Sequence, residues 1–230
     1  MGVDYSGLRM ERVCPICGGC SFGAGPAGRM SVEGLPPRCE TCQSLERHRI
    51  QRNFYLRLRE SLDFKLLNAL QISKDYSVRP DWFNSYELSV YGEQNSIDIQ
   101  SIHSEKKFDI VICNHVLEHV EDWKQALREL QGIVENLGFL QISFPDPVNR
   151  IHTNDWGYPR AEDHGHYRIF GKDVIHIIKN ELLEQDSRLI VVKDVDLATN
   201  TQDYVFILTK SLKVSHAIET TFGYAAIYQS

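Results

Sequence analysis

The chain has 230 residues, of which 42% are hydrophobic and 24% charged, with a net charge of −6; this is the make-up of an ordinary globular chain of one or two domains. Its longest apolar runs, Leu189–Val192 and Val205–Leu208, fall far short of the ~20 residues that cross a membrane, and charges interrupt Gly2–Arg12 where a secretory leader needs an apolar core. A membrane-spanning, collagen-like or secreted chain is excluded on these grounds, and the expectation is a cytoplasmic protein with reduced cysteines.

Five of the six cysteines lie in the first 42 residues and define a first module, residues 1–43. Cys14-Pro-Ile-Cys17 and Cys39-Glu-Thr-Cys42 are two C-x-x-C knuckles, which together offer four thiolates to one tetrahedral zinc ion. Zinc would supply folding energy that so short a segment cannot obtain from a core of its own. With no open coordination position, such a zinc is structural. Cys20 adds a third cysteine at the same spacing, so an iron–sulfur cluster is one alternative and a redox or metal-free role the other.

Residues 44–62 read as a linking helix, with Ser44 as its cap and Ile50, Phe54, Leu58 and Leu62 recurring every four residues. The helix carries Arg47, Arg49, Arg52, Arg57 and Arg59. Residues 1–60 hold nine arginines against six acids, while the remainder is acidic. This basic strip is either a solvated helix face or a surface for phosphate.

From residue 63 to 212 short apolar runs alternate with amphipathic segments. Phe64–Ile72, Ser85–Tyr91 and Ser96–Ile99 read as strands, and Phe108–Cys113 as a buried one, in which Cys113 is a small hydrophobe. Glu121–Leu137 reads as a helix ended by Gly138, Phe139–Phe144 as the next strand, and Lys172–Gln185 as a second helix. Pro145–Phe170 is a long, polar and aromatic connection of the kind that forms lids and binding loops. Arg188–Asp196 and Asp203–Lys210 are too close for a crossover and form an antiparallel hairpin. Residues 213–230 are an ambiguous tail, whose apolar, Tyr-rich end would pack on the domain or on a partner.

His115-Val-Leu-Glu118-His119 spells the H-x-x-E-H motif of inverted zincins, but it follows directly on a strand and not inside a long helix. The run Phe108-Asp-Ile-Val-Ile-Cys-Asn-His-Val-Leu-Glu-His-Val-Glu-Asp-Trp, the helix after it, and Asn136-Leu-Gly-Phe-Leu-Gln-Ile-Ser resemble class I S-adenosylmethionine-dependent methyltransferases. The terminal hairpin resembles that family's last two strands. The cysteine knuckles before Ser44-Leu-Glu-Arg-His-Arg, with Asp163-His-Gly-His-Tyr-Arg-Ile-Phe-Gly, resemble a subgroup (methyltransferase type 11-like) with an N-terminal zinc-ribbon-like segment.

The resemblance implies an α/β, Rossmann-like fold: a mostly parallel seven-stranded sheet with an antiparallel last strand, beside the small zinc module. It implies S-adenosylmethionine as cofactor and methyl transfer to a small-molecule acceptor. For the cofactor it points to the first-strand segment with Ala69, Gln71 and Ser73. Glu87, or else Glu93, would take the ribose, Asp98 the adenine side, and Asn114 and His115 the sulfonium side. One departure stands out. The turn after the first strand, Leu66-Leu-Asn-Ala-Leu-Gln-Ile-Ser-Lys-Asp, contains none of the glycines that let backbone approach the cofactor. His115, His164 and His166 are candidate bases or orienting groups; His164 and His166 could instead serve as packing groups or metal ligands, and His119 reads as a packing residue. Two further functions stay open. One is a scaffold that has lost the cofactor with its glycines, and the other an RNA-directed methyltransferase using the zinc module and the arginine strip.

Overall fold

The computed structural model describes residues 12–145 and 147–229. The first eleven residues of the proposed zinc module therefore lie outside the described residues. In chain order the elements are β1 (Phe22–Gly23), β2 (Arg38–Cys39), α1 (Glu46–Leu58), β3 (Asn68–Ile72), β4 (Ser85–Ser89), β5 (Phe108–Asn114), α2 (Trp123–Gly132), β6 (Val134–Ser143), β7 (Asn154–Arg160), β8 (His166–Ile169), α3 (Val174–Ile177, continued by a π-helical turn Ile178–Leu182), β9 (Arg188–Val195), β10 (Gln202–Thr209), α4 (Leu212–Thr221) and β11 (Ala226–Gln229).

Seven strands form one sheet in the order β11-β9-β10-β6-β5-β3-β4. The strands β4, β3, β5 and β6 run parallel, and β10 enters antiparallel between β6 and β9. Both faces are covered, which explains why the strands read as unbroken apolar runs rather than alternating ones. Leu70, Val111, Leu140, Ile142 and Phe206 point to the face that holds α2 and α3. Ala69, Ile110, Ile112, Phe139 and Val205 point to the face that holds α1 and α4.

The sheet is thus the expected mostly parallel one with seven strands, but one strand comes from elsewhere. Ser96–Ile99 forms no strand; its region is a series of turns in which Asp98 Oδ1 accepts from the amide of Gln100. The seventh strand is instead β11, drawn from the tail, which pairs antiparallel with β9 at the opposite edge. The tail's helix α4 buries Val214, Ile218 and neighbouring Phe222 against the sheet. Residues 213–229 are therefore part of the main domain.

Three further expectations change. Helix α2 stops at Gly132 and β6 begins at Val134, so Gly138 lies in a strand. A Cβ at Gly138 would overlap the carbonyl of Asp109, so glycine is required there by close approach of β5 and not as a helix stop. Ser44 does not cap α1; Leu45 holds the cap position and its amide donates to Nδ1 of His48 at 3.0 Å. The segment 145–170 is not an irregular loop, since β7 and β8 pair antiparallel within it.

Candidate active site and cysteine cluster

The four knuckle sulfurs gather at one point. Cys14, Cys17, Cys39 and Cys42 place their Sγ atoms within 4.8 Å of one another, with Cys14–Cys42 at 3.7 Å and Cys17–Cys39 at 3.5 Å. Zinc–sulfur bonds of ~2.3 Å in a tetrahedron set sulfurs roughly 3.8 Å apart, so the donor set and its spacing fit that ion. The amide of Gly19 donates to Cys17 Sγ, and the Ser44 hydroxyl lies 3.4 Å from Cys14 Sγ and 3.2 Å from Cys42 Sγ. Cys20 is exposed and outside the cluster.

The module is fastened to the sheet by charge. Arg49 is wholly buried and grips Asp196 in the β9–β10 turn through two hydrogen bonds of 2.8 and 2.7 Å, while its third nitrogen donates to Ser44 O. Its guanidinium also lies over the Phe22 ring. Arg52 donates to the carbonyls of Tyr76 and Val78, and Arg57 to Thr221 O and the Tyr224 hydroxyl. Arg59 covers the ring of Trp82. Arg49 and Arg52 are thus buried and spent inside the molecule, whereas Arg57 is half-buried and Arg59 remains exposed.

The docked module roofs the carboxyl ends of β5 and β6. Between them is a cavity of about 700 Å³, lined by residues 29–32 of the module, 45–47 at the start of α1, His115, Glu118 and His119 after β5, His164 and His166, and residues 201–203. The three histidines proposed for chemistry are thus brought together around one space. His115 closes β5 with a left-handed φ of 53°, and His164 turns the β7–β8 hairpin at 58°. Arg168 sets the hairpin's position: nearly wholly buried, it donates to Leu117 O, Val120 O, Glu121 O and Asp155. The rings of His119 and His166 meet at 4.5 Å.

Burial controls the charges here. It depresses His115 well below the ordinary imidazole value, with Arg47 adding to the effect. It lowers His166 to about 4, helped by His119 and His164, so both imidazoles are neutral near pH 7. Glu118, 1% exposed, is pushed up to about 8 by burial. Its Oε2 and the Nε2 of His115 have no hydrogen-bond partner. Buried polar atoms left in this state usually await a ligand or an ion.

The cofactor residues proposed from sequence are distributed differently. Ala69 is sealed in the core. Gln71 is buried and braces the turn, donating to Ser73 O and accepting from the Tyr86 hydroxyl. Asn114 is saturated by Asp75, Gln141 and Ser143. Glu87 pairs with Lys106, while Glu93 and Asp98 are exposed on the turns after β4. Ser73 takes a φ of 65°, the conformation a glycine favours, so the turn follows a glycine-like path without one.

Sequence reasoning missed Asp75. It accepts from Ser77 and Asn114 at the carboxyl end of β3 and forms no ion pair among the described residues. A carboxylate oriented by donors but lacking a cation suits a cofactor that carries a sulfonium and an ammonium. On that observation the crest of β3 and β5 fits S-adenosylmethionine, with Asp75 and the Ser73 turn as its nearest holders.

A sequence profile described as a methyltransferase domain matches residues 38–176. The chain belongs to the class I S-adenosylmethionine-dependent methyltransferase family. It is similar to the N-methyltransferase NodS from Bradyrhizobium japonicum WM9 in complex with S-adenosyl-l-homocysteine, at 13% identity over 69% of this chain and 85% of that one, TM-score 0.42. It is also similar to the 1,6-didemethyltoxoflavin-N1-methyltransferase of Burkholderia thailandensis, at 12% identity over 70% and 78%, TM-score 0.45. A third likeness is to an O-methyltransferase from a trans-AT PKS multienzyme of Brevibacillus brevis, at 7% identity over 74% and 75%, TM-score 0.44. No curated protein matches by sequence. No helix among the described residues is long and apolar enough to cross a membrane.

Proposed function

We propose that this methyltransferase acts on a small-molecule acceptor held in the cavity beneath the zinc module. The observation that carries this reading is the cavity itself: it opens beside His115, at the carboxyl ends of the parallel strands, where ligands of such sheets bind. Its volume lies within the ~300–1,000 Å³ usual for small-molecule sites. A structural zinc on Cys14, Cys17, Cys39 and Cys42 holds the roof in place.

S-adenosylmethionine, when bound, supplies a methyl group made electrophilic by the sulfonium. The chain's own residues then have three tasks. Asp75 and the turn at Ser73 retain the cofactor's cationic end, with Glu87 toward the ribose. The roof and the β7–β8 hairpin exclude water from the acceptor. His115, neutral and with Nε2 unpartnered, accepts the acceptor's hydrogen bond and takes its proton as the nucleophile attacks; His164 and His166 orient the acceptor from the hairpin side. Orientation contributes a large share of catalysis in a transfer whose electrophile is intrinsically reactive.

Titration calorimetry with S-adenosylhomocysteine tests the reading. Binding that Asp75→Asn weakens at least tenfold supports it. No heat at millimolar ligand in zinc-replete protein overturns it in favour of a scaffold.

A further inference from the structure

Glu118, His119 and His166 make a second constellation of ligand type, away from the cysteines. One ligand atom from each lies within 4.8 Å of the others. The three come from two separate elements, the turn Leu117–His119 after β5 and the strand β8, and all three line the cavity. The Oε2 of Glu118 is buried, belongs to a side chain 1% exposed and meets no donor. Burial alone favours the neutral carboxyl, and an ionised oxygen in that place needs either a donor or a cation. The two imidazoles beside it stand edge to face at 4.5 Å, and neither donates to Oε2. The arrangement is supported from outside, because Arg168 ties β8 to the carbonyls of Leu117, Val120 and Glu121. That clamp holds the third ligand against the first two, and such outer support is the usual companion of a metal site.

We propose that Glu118, His119 and His166 bind a divalent first-row transition cation whose open positions face the acceptor cavity. Two nitrogens and one oxygen with free positions suit zinc, iron(II), cobalt(II) or manganese(II) rather than calcium or magnesium, which prefer all-oxygen shells. The inference deepens the functional reading above and rests on it for the identity of the cavity. It names the acceptor's class: a hydroxyl compound that binds the cation through oxygen. Coordination lowers the hydroxyl's pKa. The proton passes to His115 Nε2, an oxygen lone pair forms the O–CH3 bond, and the electron pair of the S–CH3 bond returns to sulfur. The products are a methyl ether and a neutral thioether, so no oxidant or reductant is needed. The histidines of H-x-x-E-H divide between two tasks, His119 as ligand and His115 as base, and the glutamate between them is a ligand.

The test uses the full chain with its cysteine site filled by zinc, titrated with cobalt(II) and followed by visible absorption and by elemental analysis after gel filtration. The expected result is one zinc and one cobalt per chain, the cobalt bands lacking the intense near-ultraviolet charge transfer of thiolate ligation. Glu118→Gln and His166→Ala should each weaken cobalt binding at least a hundredfold, whereas His164→Ala should leave it within threefold. Should a buried-site variant fail to fold by circular dichroism, His119→Ala at the exposed ligand gives the same reading. A wild-type chain that binds no cobalt beyond the zinc site overturns the proposal, as does binding that survives both Glu118→Gln and His119→Ala, or bands of thiolate type. Titration of the same samples with S-adenosylhomocysteine separates the two claims. Cobalt without cofactor binding sinks the methyl-transfer reading alone; cofactor without cobalt sinks only the cation.

Discussion

The central sheet and the roof above it hold together by different means. In the sheet, Val111, Ile112, Leu140 and Phe206 vanish into two apolar layers, and the central strands are fixed by neighbours on both faces. The roof, made of residues 12–45 and the β7–β8 hairpin, has two-residue strands at β1 and β2, one separate two-stranded pair at β7 and β8, and exposes much of its surface. It stays in position through four thiolates, a buried guanidinium at Arg49 and another at Arg168. Aliphatic packing tolerates small changes, each usually costing ~1–3 kcal/mol. A roof held by a few charged points and one cysteine cluster is expected to lose its place when one of them goes. The acceptor cavity lies between the two, so its shape depends on the part with fewer supports.

The largest effect is expected at the cysteines. Cys14→Ser should release the zinc and unfold residues 12–45, since structural zinc sites carry roughly 10–16 kcal/mol of binding free energy in small modules. The sheet should survive with its circular dichroism nearly intact, while methyl transfer falls to background. Limited proteolysis, with cleavage confined to the first 45 residues, checks this; a global loss of secondary structure would show that sheet and roof are one folding unit.

Next in size is the pair Arg49–Asp196, buried at 0% and 1% side-chain exposure. Removing one partner strands the other charge, which costs about 3–5 kcal/mol. Asp196→Ala should therefore lower the thermal midpoint markedly, and Arg49→Met combined with Asp196→Leu should recover much of the loss. A double-mutant cycle with no coupling would mean that the pair is incidental to docking. Arg168→Lys should cost somewhat less, about 2–3 kcal/mol, because lysine keeps the charge but cannot reach three carbonyls and Asp155 at once. Hydrogen exchange should then accelerate across β7 and β8 while β5 and β6 remain protected.

Much of the sheet was legible because apolar runs such as Phe108–Cys113 have no other stable place than a buried strand. The cysteine cluster was legible for a similar reason: its ligands come as close pairs, and the spacing itself is the signal. The Glu118–His119–His166 cluster was not, since His166 arrives 47 positions after His119 through a hairpin that the sequence showed only as a polar loop. The strand at Ser96–Ile99 failed because two apolar residues in four cannot outweigh the turn formers around them, and the edge it would have covered was left to β4. Asp75 escaped notice because its local partner Ser77 marks only a turn, while Asn114 reaches it only once β3 and β5 are paired. The inward turn of Arg49 and Arg52 was not legible in the arginine strip, because burial of a guanidinium depends on acids and carbonyls far away in the chain, Asp196 among them.

The smallest effect is a pH dependence at the joint between roof and sheet. His48 sits in the first turn of α1, where its Nδ1 accepts the amide of Leu45. Burial, with the charges of Arg47 and Arg49 beside it, lowers its pKa to about 3. In the unfolded chain an ordinary histidine titrates near 6.5. As pH falls below about 6.5 the unfolded state takes up a proton that the folded state refuses until about 3. The contribution of His48 is therefore complete above 6.5 and shrinks by up to ~1.4 kcal/mol per unit below it. In protein stripped of divalent cations Glu118 acts with the opposite sign. Its folded value of about 8 exceeds that of a free carboxyl near 4.3, so its contribution is complete below about 4.3 and is lost as pH rises through 8. Opposed trends would flatten the wild-type curve between about 4.3 and 6.5. Comparison with His48→Gln isolates the histidine, because glutamine can still accept from Leu45 but does not titrate. Denaturant midpoints measured from pH 8 to 4 should give a difference that is constant above 6.5 and moves steadily in favour of the variant below it, by about 2 kcal/mol at pH 5. A difference that stays constant down to pH 4 would mean that His48 protonates freely in the folded chain and that acid does not loosen the joint.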